Sequence, residues 1–249
     1  SLFRRVGRRL VLTEAGERIL GHAEQIFALG DQIADVVRDD TLRRSLPFRI
    51  GFPDSMPKSV IHRLIEPALQ VERPGRLVCR EAPLAELLAE LAVHRLDLVI
   101  ADRPMPPEVS VRGYSTLLGE STLTVFAAPV LAAQLVAGFP ATLDRAPFLL
   151  PGEDVAHRGA LLQWFETQRV RPAIVAEFDD SALMKAFGQS GTGAFVAPST
   201  IADYVCDQYR VKAVGEIADV SSQVYAITTE RRLSHPAMQA ILDQAARGR

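Results

Sequence analysis

Two thiols, Cys79 and Cys206, are all the cysteine in 249 residues. They stand too far apart for any metal-ligand spacing, and so sparse a pair in a chain of this size reads as reduced, buried thiols in the cytoplasm. Histidine is equally uninformative about metals. His22, His62, His94, His157 and His235 are scattered over different segments and read as surface or capping residues. No apolar run reaches the roughly 18 residues that a membrane helix needs, and no signal peptide is seen, which argues against membrane residence. A formal net charge of −2 gives the molecule as a whole no bias toward nucleic acid. Catalytic signatures are missing as well. Ser55 and Ser181 lack Gly-x-Ser-x-Gly surroundings. Gly188, Gly191 and Gly193 are not followed in frame by the lysine and serine of a phosphate loop. No nucleophile or acid–base pair stands at a credible spacing.

The features the chain does have are concentrated in particular stretches. A hydrophobic share of 48% is ample for a packed core, and the length exceeds one average domain. The basic charge gathers at the start, where Arg4, Arg5, Arg8 and Arg9 flank Gly7 between short aliphatic runs. That pattern predicts a two-stranded basic hairpin turning at Gly7, with a tip suited to a phosphate backbone. Thr13 comes next as a helix cap, with Glu14 and Glu17 placed where the dipole favours carboxylates. Ala15, Ile19, Ala23, Ile26, Phe27, Ile33 and Val37 then recur at steps compatible with one helical face, against a polar remainder. An amphipathic rod this early in the chain has nothing of its own to cover its seam, so the pattern predicts a helix that pairs with a second copy. A charged, proline-ended connector, residues 39–47, separates this helix from the remainder of the chain.

Beyond the connector the periodicity changes to strand and helix in alternation. Phe48–Phe52 alternates as a strand, and Pro53 to Pro57 turn it into a helix from Lys58 to Leu69. A strand at 76–81, a helix from Pro83 to His94 and an apolar strand at Leu96–Ala101 predict a parallel sheet with right-handed crossovers. A strand at Thr122–Ala128 opens a second αβ run. It takes in strands at 148–150, 173–178 and 193–197, helices at 156–168, 181–189 and 198–206, and strands near Val211–Val214 and at Gln223–Thr229 before a closing helix from His235 to Ala246. Ligands in such sheets sit beyond the carboxyl ends of the strands. Asp54, Ser55, Pro83 and Asp102 occupy those ends.

The densest polar cluster is Glu177-Phe178-Asp179-Asp180-Ser181 ahead of an apolar helix. One of Asp179 and Asp180 suffices as the helix cap, which leaves the other to point into a cleft. With Asp54 and Asp102 opposite, they would make an oxygen-rich pocket suited to a hard cation, whereas helix N-termini facing the same cleft favour an anion. Arg103, Lys58 and Arg158 are the cations that would neutralise the acids, and the sequence leaves the balance open.

The basic wing, the Leu12-Thr13-Glu14-Ala15-Gly16 turn and the long helix resemble LysR-type transcriptional regulators, and the resemblance extends over the whole chain. It implies a two-lobed α/β effector-binding domain of the periplasmic-binding-protein type II fold, preceded by the wing hairpin and the linker helix. The family's helix-turn-helix, which precedes this wing, is absent before Ser1. The implied division is wing at 1–12, linker helix and hinge at 13–46, and effector domain at 47–249, with lobe I at 47–126 and 230–249 and lobe II at 127–229. The family's cleft would be lined by Ser55, Pro83, Leu84, Asp102 and residues around Phe195; Pro83 replaces a hydroxyl residue often found there. The segments 51–55, 96–104, 149–152, 161–165, 177–188 and 195–198 are most similar to a branch of the family that activates a sodium/proton antiporter gene in response to sodium. The partners this resemblance implies are promoter DNA, a second copy in a dimer or tetramer, and a small effector or ion, with RNA polymerase a further partner of an activator. No cofactor is expected, and a monovalent cation such as sodium would serve as effector. The competing readings are a solute-binding protein of the same fold, which explains neither the wing nor the missing export signal, and an enzyme, which lacks the residues.

Overall fold

The computed structural model describes residues 1–6, 9–16, 19–20, 23, 26–27, 30, 47–71, 76–107, 113–229 and 235–247. The chain opens on an antiparallel hairpin, β1 (Phe3–Val6) with β2 (Arg9–Leu12), in the register Phe3 to Leu12 and Val6 to Arg9. The turn expected at Gly7, and Arg8 with it, lie outside the described residues. Thr13 caps the helical segment after the hairpin: its Oγ1 accepts from the Gly16 N–H at 3.1 Å. A side chain at Gly16 would run into the Leu2 carbonyl oxygen, so only glycine lets that first turn lie against the hairpin. Residues 14–16, 19, 20, 23, 26, 27 and 30 are helical. Of the expected seam, Ala15 and Ile19 are exposed and Ala23 is partly covered, while Ile26 and Phe27 stand 69% and 73% exposed. Ile33 and Val37 lie outside the described residues.

From Phe48 onward the chain builds one six-stranded sheet, in the order β4 (Leu77–Glu81), β3 (Phe48–Phe52), β5 (Leu98–Ala101), β10 (Lys212–Thr228), β6 (Tyr114–Ala127) and β9 (Phe195–Pro198). β3 (Phe48–Phe52) runs parallel to both β4 (Leu77–Glu81) and β5 (Leu98–Ala101). The helices α1 (Lys58–Ile65) and α2 (Leu84–Ala92) make the crossovers. The helix expected to reach Leu69 changes to a tighter turn at Glu66–Leu69, where Pro67 has no N–H to continue the ladder. β6 (Tyr114–Ala127) and β10 (Lys212–Thr228) are antiparallel and far longer than the others. β9 (Phe195–Pro198) pairs with the far end of β6, and a single parallel bridge from Phe148 to Ala194 attaches the parallel pair β7 (Pro147–Pro151) and β8 (Ala173–Phe178).

The molecule thus has two lobes sharing two strands. At about 3.3 Å per residue the 14 residues of β6 span about 45 Å, enough to hydrogen-bond in both. Its early part lies beside the Tyr225–Ile227 stretch of β10, which pairs with β5; its end pairs with β9. The expected separate strands at Val211–Val214 and Gln223–Thr229 are therefore one, and the strand expected at Thr122–Ala128 starts earlier, at Tyr114, and ends at Ala127. The polar stretches Gly119-Glu120-Ser121 and Ser221-Ser222-Gln223 read as breaks because each strand leaves the core where it crosses between lobes. A helix over Pro129–Leu135 (α3), not anticipated from the sequence, covers lobe II with Ala132 and Leu135. Lobe II is completed by α4 (Arg158–Gln168), α5 (Ser181–Gln189) and α6 (Ala202–Tyr209).

The last helix, α7 (Pro236–Arg247), returns to lobe I, where Met238 and Ile241 join Phe48, Val60 and Ile61 in the core. Trp164 and Phe165 pack inside lobe II, Phe165 edge-on to Phe148 at 5.1 Å. His235 caps α7 through Nδ1, which accepts from Ala237 N–H at 3.2 Å, and stacks on Phe48. The expectation of buried thiols fails for Cys79, which is exposed; Cys206 is partly covered. β4 is an edge strand paired on one side only, so its outward residues have no neighbouring layer.

Candidate functional site: a cavity between the lobes

The crossing strands floor a cavity of about 370 Å³ between the lobes, a size suited to a small molecule. Lobe I contributes Ser55 and Met56 from the β3–α1 turn, Val60 from α1 and Asp102 just after β5. Lobe II contributes Val155 and His157 before α4, Phe178 and Asp179 after β8, and Ser181, Met184 and Lys185 from α5. These are strand ends and helix starts, as the sheet rule requires.

The expected site residues separate into three groups. Ser55, Asp102 and Asp179 line the cavity. Asp54 is exposed beside it, its Oδ1 accepting from the Ser55 N–H at 3.0 Å. Asp180 is the helix cap: its Oδ1 accepts from the N–H groups of Ala182 (2.7 Å) and Leu183 (3.3 Å). Pro83 is exposed and Leu84 packs on the far side of lobe I with Leu87 and Leu91, both away from the wall of the cavity. Phe195 is buried in the core with its ring stacked on Phe126 at 5.7 Å; its successors Val196, Ala197 and Pro198 line the cavity instead.

Of the four acids of the expected cation pocket, Asp102 and Asp179 line the cavity, and Asp54 and Asp180 stand outside its lining. Asp102 is engaged by a guanidinium and an amide: Oδ1 accepts from Arg103 Nε at 3.0 Å and Oδ2 from the Ala156 N–H at 2.8 Å. Arg103 in turn donates through Nη2 to the Asp154 carbonyl. Lys58 is paired with Glu81 at 2.6 Å and Arg158 with Glu177 at 2.8 Å. Among the described residues no cluster of three or more histidine, cysteine, aspartate or glutamate side chains could hold a metal.

The Asp102–Arg103 pair has another role in the geometry. It sits on lobe I and both of its outward bonds, to Ala156 and Asp154, land on lobe II. A second such tie comes from Arg63 of α1, whose Nη1 donates to the Thr200 carbonyl at 3.2 Å. Among the described residues, hydrogen bonds join the lobes at these two places around the cavity.

Two groups without any motif in the sequence dominate the interior. Lys185 is 4% exposed and lines the cavity; its Nζ donates to the Ser181 carbonyl at 3.1 Å, one turn earlier. Burial pulls its pKa down to about 8, with the Asp180 charge opposing and Lys58 reinforcing. His157 does not behave as a surface residue: its Nδ1 is sealed from solvent and has no hydrogen-bond partner, and the same is true of Ser181 Oγ. Burial lowers the His157 pKa to about 4 against the pull of Asp102. The signal for Lys185 and Ser181 is their spacing. Ser181, Met184, Lys185 and Gly188 recur at i, i+3, i+4 and i+7, and this stripe, rather than Leu183 and Phe187, faces inward.

The His157 shift has a direct consequence. Between pH 6.5 and pH 4 the unfolded chain binds a proton that the folded one does not, so stability falls as pH drops through that window. The contribution is about 3 kcal/mol in all. Urea midpoints measured from pH 7 to pH 4 should drop less steeply for His157→Asn than for the parent; parallel slopes would remove His157 from the titration.

A two-lobed sheet with a cavity across shared strands is the architecture of small-molecule-binding domains of the periplasmic-binding-protein type, effector-binding domains among them. Residues 43–248 match the LysR substrate binding domain, and the chain belongs to the LysR family, whose members are transcriptional regulators and not enzymes. It is 33% identical over 242 residues to the transcriptional activator protein NhaR of Escherichia coli (strain K12), covering 97% of this chain and 79% of that protein. Among solved structures, full-length CbnR in complex with its target DNA matches with a TM-score of 0.66 at 14% identity, covering 97% of this chain and 83% of that one. The effector-binding domain of QuiR in complex with shikimate matches with a TM-score of 0.59 at 16% identity, over 82% of this chain and 96% of that one. At these identities the two structures speak for the fold alone.

Proposed function

We propose that this chain is the sensing and dimerising part of a transcriptional activator of ion and pH homeostasis genes, with its effector bound in the cavity between the lobes. The observation that carries the reading of the site is the cavity itself, which is closed by ties from both lobes and retains sealed polar atoms without partners. Groups of that kind cost free energy when left unmade, and a bound molecule is what would satisfy them. An effector that prefers one lobe arrangement shifts the population toward it by its difference in affinity, and no further. The similarity to NhaR supports the role of activator, and the family resemblance supports an antiporter gene as target. A protein acting on promoter DNA works in the cytoplasm.

The N-terminal segment fits the same reading. Exposed Ile19, Ile26 and Phe27 await a second copy, the dimer or tetramer expected of the family. Arg4 and Arg5 project from β1 in the open, where they would meet phosphate and position the protein without reading sequence; Arg9 extends the basic strand pair. The test uses protein that carries the family's helix-turn-helix ahead of this wing. Replacing Arg4 and Arg5 by alanine should flatten the slope of log affinity against log salt by about one for each phosphate no longer neutralised. An unchanged slope would take the wing out of the DNA interface.

A further inference from the structure

The described part of the chain buries just two charged side chains, Asp102 and Lys185. Asp102 has its counter-charge in Arg103 and a backbone donor in Ala156. Lys185 has no salt-bridge partner: its ammonium makes one hydrogen bond, to a neutral carbonyl of its own helix, and Asp180, whose charge acts on it without a direct contact, has its Oδ1 committed to the α5 cap. Three N–H donors on a buried cation with one acceptor is an incomplete site. The incompleteness faces the cavity, whose wall also presents Ser181 Oγ, a buried hydroxyl without a partner on the same face of the same helix. Around them the wall is apolar, with Met56, Val60, Phe178 and Met184.

Resting on the reading of the cavity as the effector site, we propose that it takes a small organic acid, whose carboxylate accepts from Lys185 Nζ and Ser181 Oγ while its hydrocarbon body lies against Met56, Val60 and Met184. One buried positive charge and one hydroxyl match one carboxylate. A phosphate dianion would bring a second charge that nothing buried in the cavity balances, and an inorganic cation would be repelled by Lys185. The acids that do face the cavity leave room for this. Asp102 is buried but paired with Arg103, Asp179 and Glu120 are both exposed at the rim, and Glu120 is held by Gln223.

The test is calorimetry and thermal shift on the full chain with hexanoate and benzoate, each against its uncharged amide, with choline and sodium as alternative counter-ions. The acids should bind with either counter-ion and the amides should not. Lys185→Met, which keeps the length of the side chain and removes a buried charge, should fold and weaken the acids at least about tenfold, while Ser181→Ala weakens them several-fold. Lys185→Gln serves if the methionine variant misfolds. Near pH 8 binding should take up a fraction of a proton as the anion returns Lys185 to its charged form. Amides that bind as well as acids, or acids that bind Lys185→Met undiminished, would overturn the anion assignment and leave the cavity as effector site. Acid binding that survives Ser55→Trp, a substitution that fills the cavity from lobe I, would place it elsewhere and sink both; no binding by any acid at millimolar concentration would likewise sink the proposal.

Discussion

Gly188→Leu should unfold lobe II or leave it molten, and Gly188→Ala should cost about 2 kcal/mol, lowering the melting temperature by roughly 4–8 °C for a chain of this size. A Cβ at position 188 would overlap two ring atoms of Phe195, and that ring has nowhere to go: it is fully buried and stacked on Phe126. Overpacking of this kind costs about 1–3 kcal/mol or more, against which the better helix propensity of alanine returns about 1. The strain should be local to one contact. Gly188→Ala combined with Phe195→Leu should therefore recover much of the alanine penalty, and thermal melts of the four-member cycle would show it as a favourable coupling. Additive losses would mean that the helix is tolerant of displacement, and that the inward stripe on α5 is not fixed by this contact.

Asp102→Ala should have the second large effect, and it should be conformational as well as energetic. The substitution frees the Ala156 N–H and leaves Arg103 without its carboxylate, cutting one of the two sets of ties that join the lobes. Breaking a buried pair in this way costs about 3–5 kcal/mol; because Arg103 is about a third exposed, solvent screening brings the expectation to about 2. Small-angle scattering should show a larger radius of gyration as the lobes part. Arg103→Ala in the same background should add only the loss of its remaining bond to the Asp154 carbonyl. An unchanged scattering profile with normal stability would show that Arg63 and the shared strands alone hold the lobes. His157 provides a further check, because the Asp102 charge is what raises its pKa, so removing that charge should push His157 lower still.

Legibility in the sequence depends on how local the determining contacts are. β3 and the start of α1 are readable because alternation and Pro57 act within a few residues, and Thr13 and Asp180 are readable as caps for the same reason. Asp102 is legible as a strand-end residue, but its chemistry depends on a backbone amide at Ala156, 54 residues on, and nothing in the neighbouring sequence announces that. The α5 helix shows the limit of periodicity. Ala182, Leu183, Ala186 and Phe187 make a more apolar stripe than Ser181, Met184, Lys185 and Gly188, yet the second turns inward. Gly188 permits the close approach to Phe195, and Leu183 and Phe187 stay about half exposed. Lys185 thus reads as an interruption in an apolar helix when it is, with Ser181, a polar anchor of its inner face. The family resemblance puts Phe195 in the cleft, although its ring belongs to the sheet core and the next three residues do the lining.

A small acid drawn into the space between the lobes by a buried ammonium is the central claim. Hydrogen–deuterium exchange of the full chain with saturating hexanoate, set against hexanamide, tests it most directly. The predicted result is slowed exchange on both walls at once, at residues 55–60 on lobe I and at 155–157 and 181–185 on lobe II, with hexanoate alone and only while Lys185 is present. Protection confined to one lobe, or produced equally by the amide or in Lys185→Met, would contradict it.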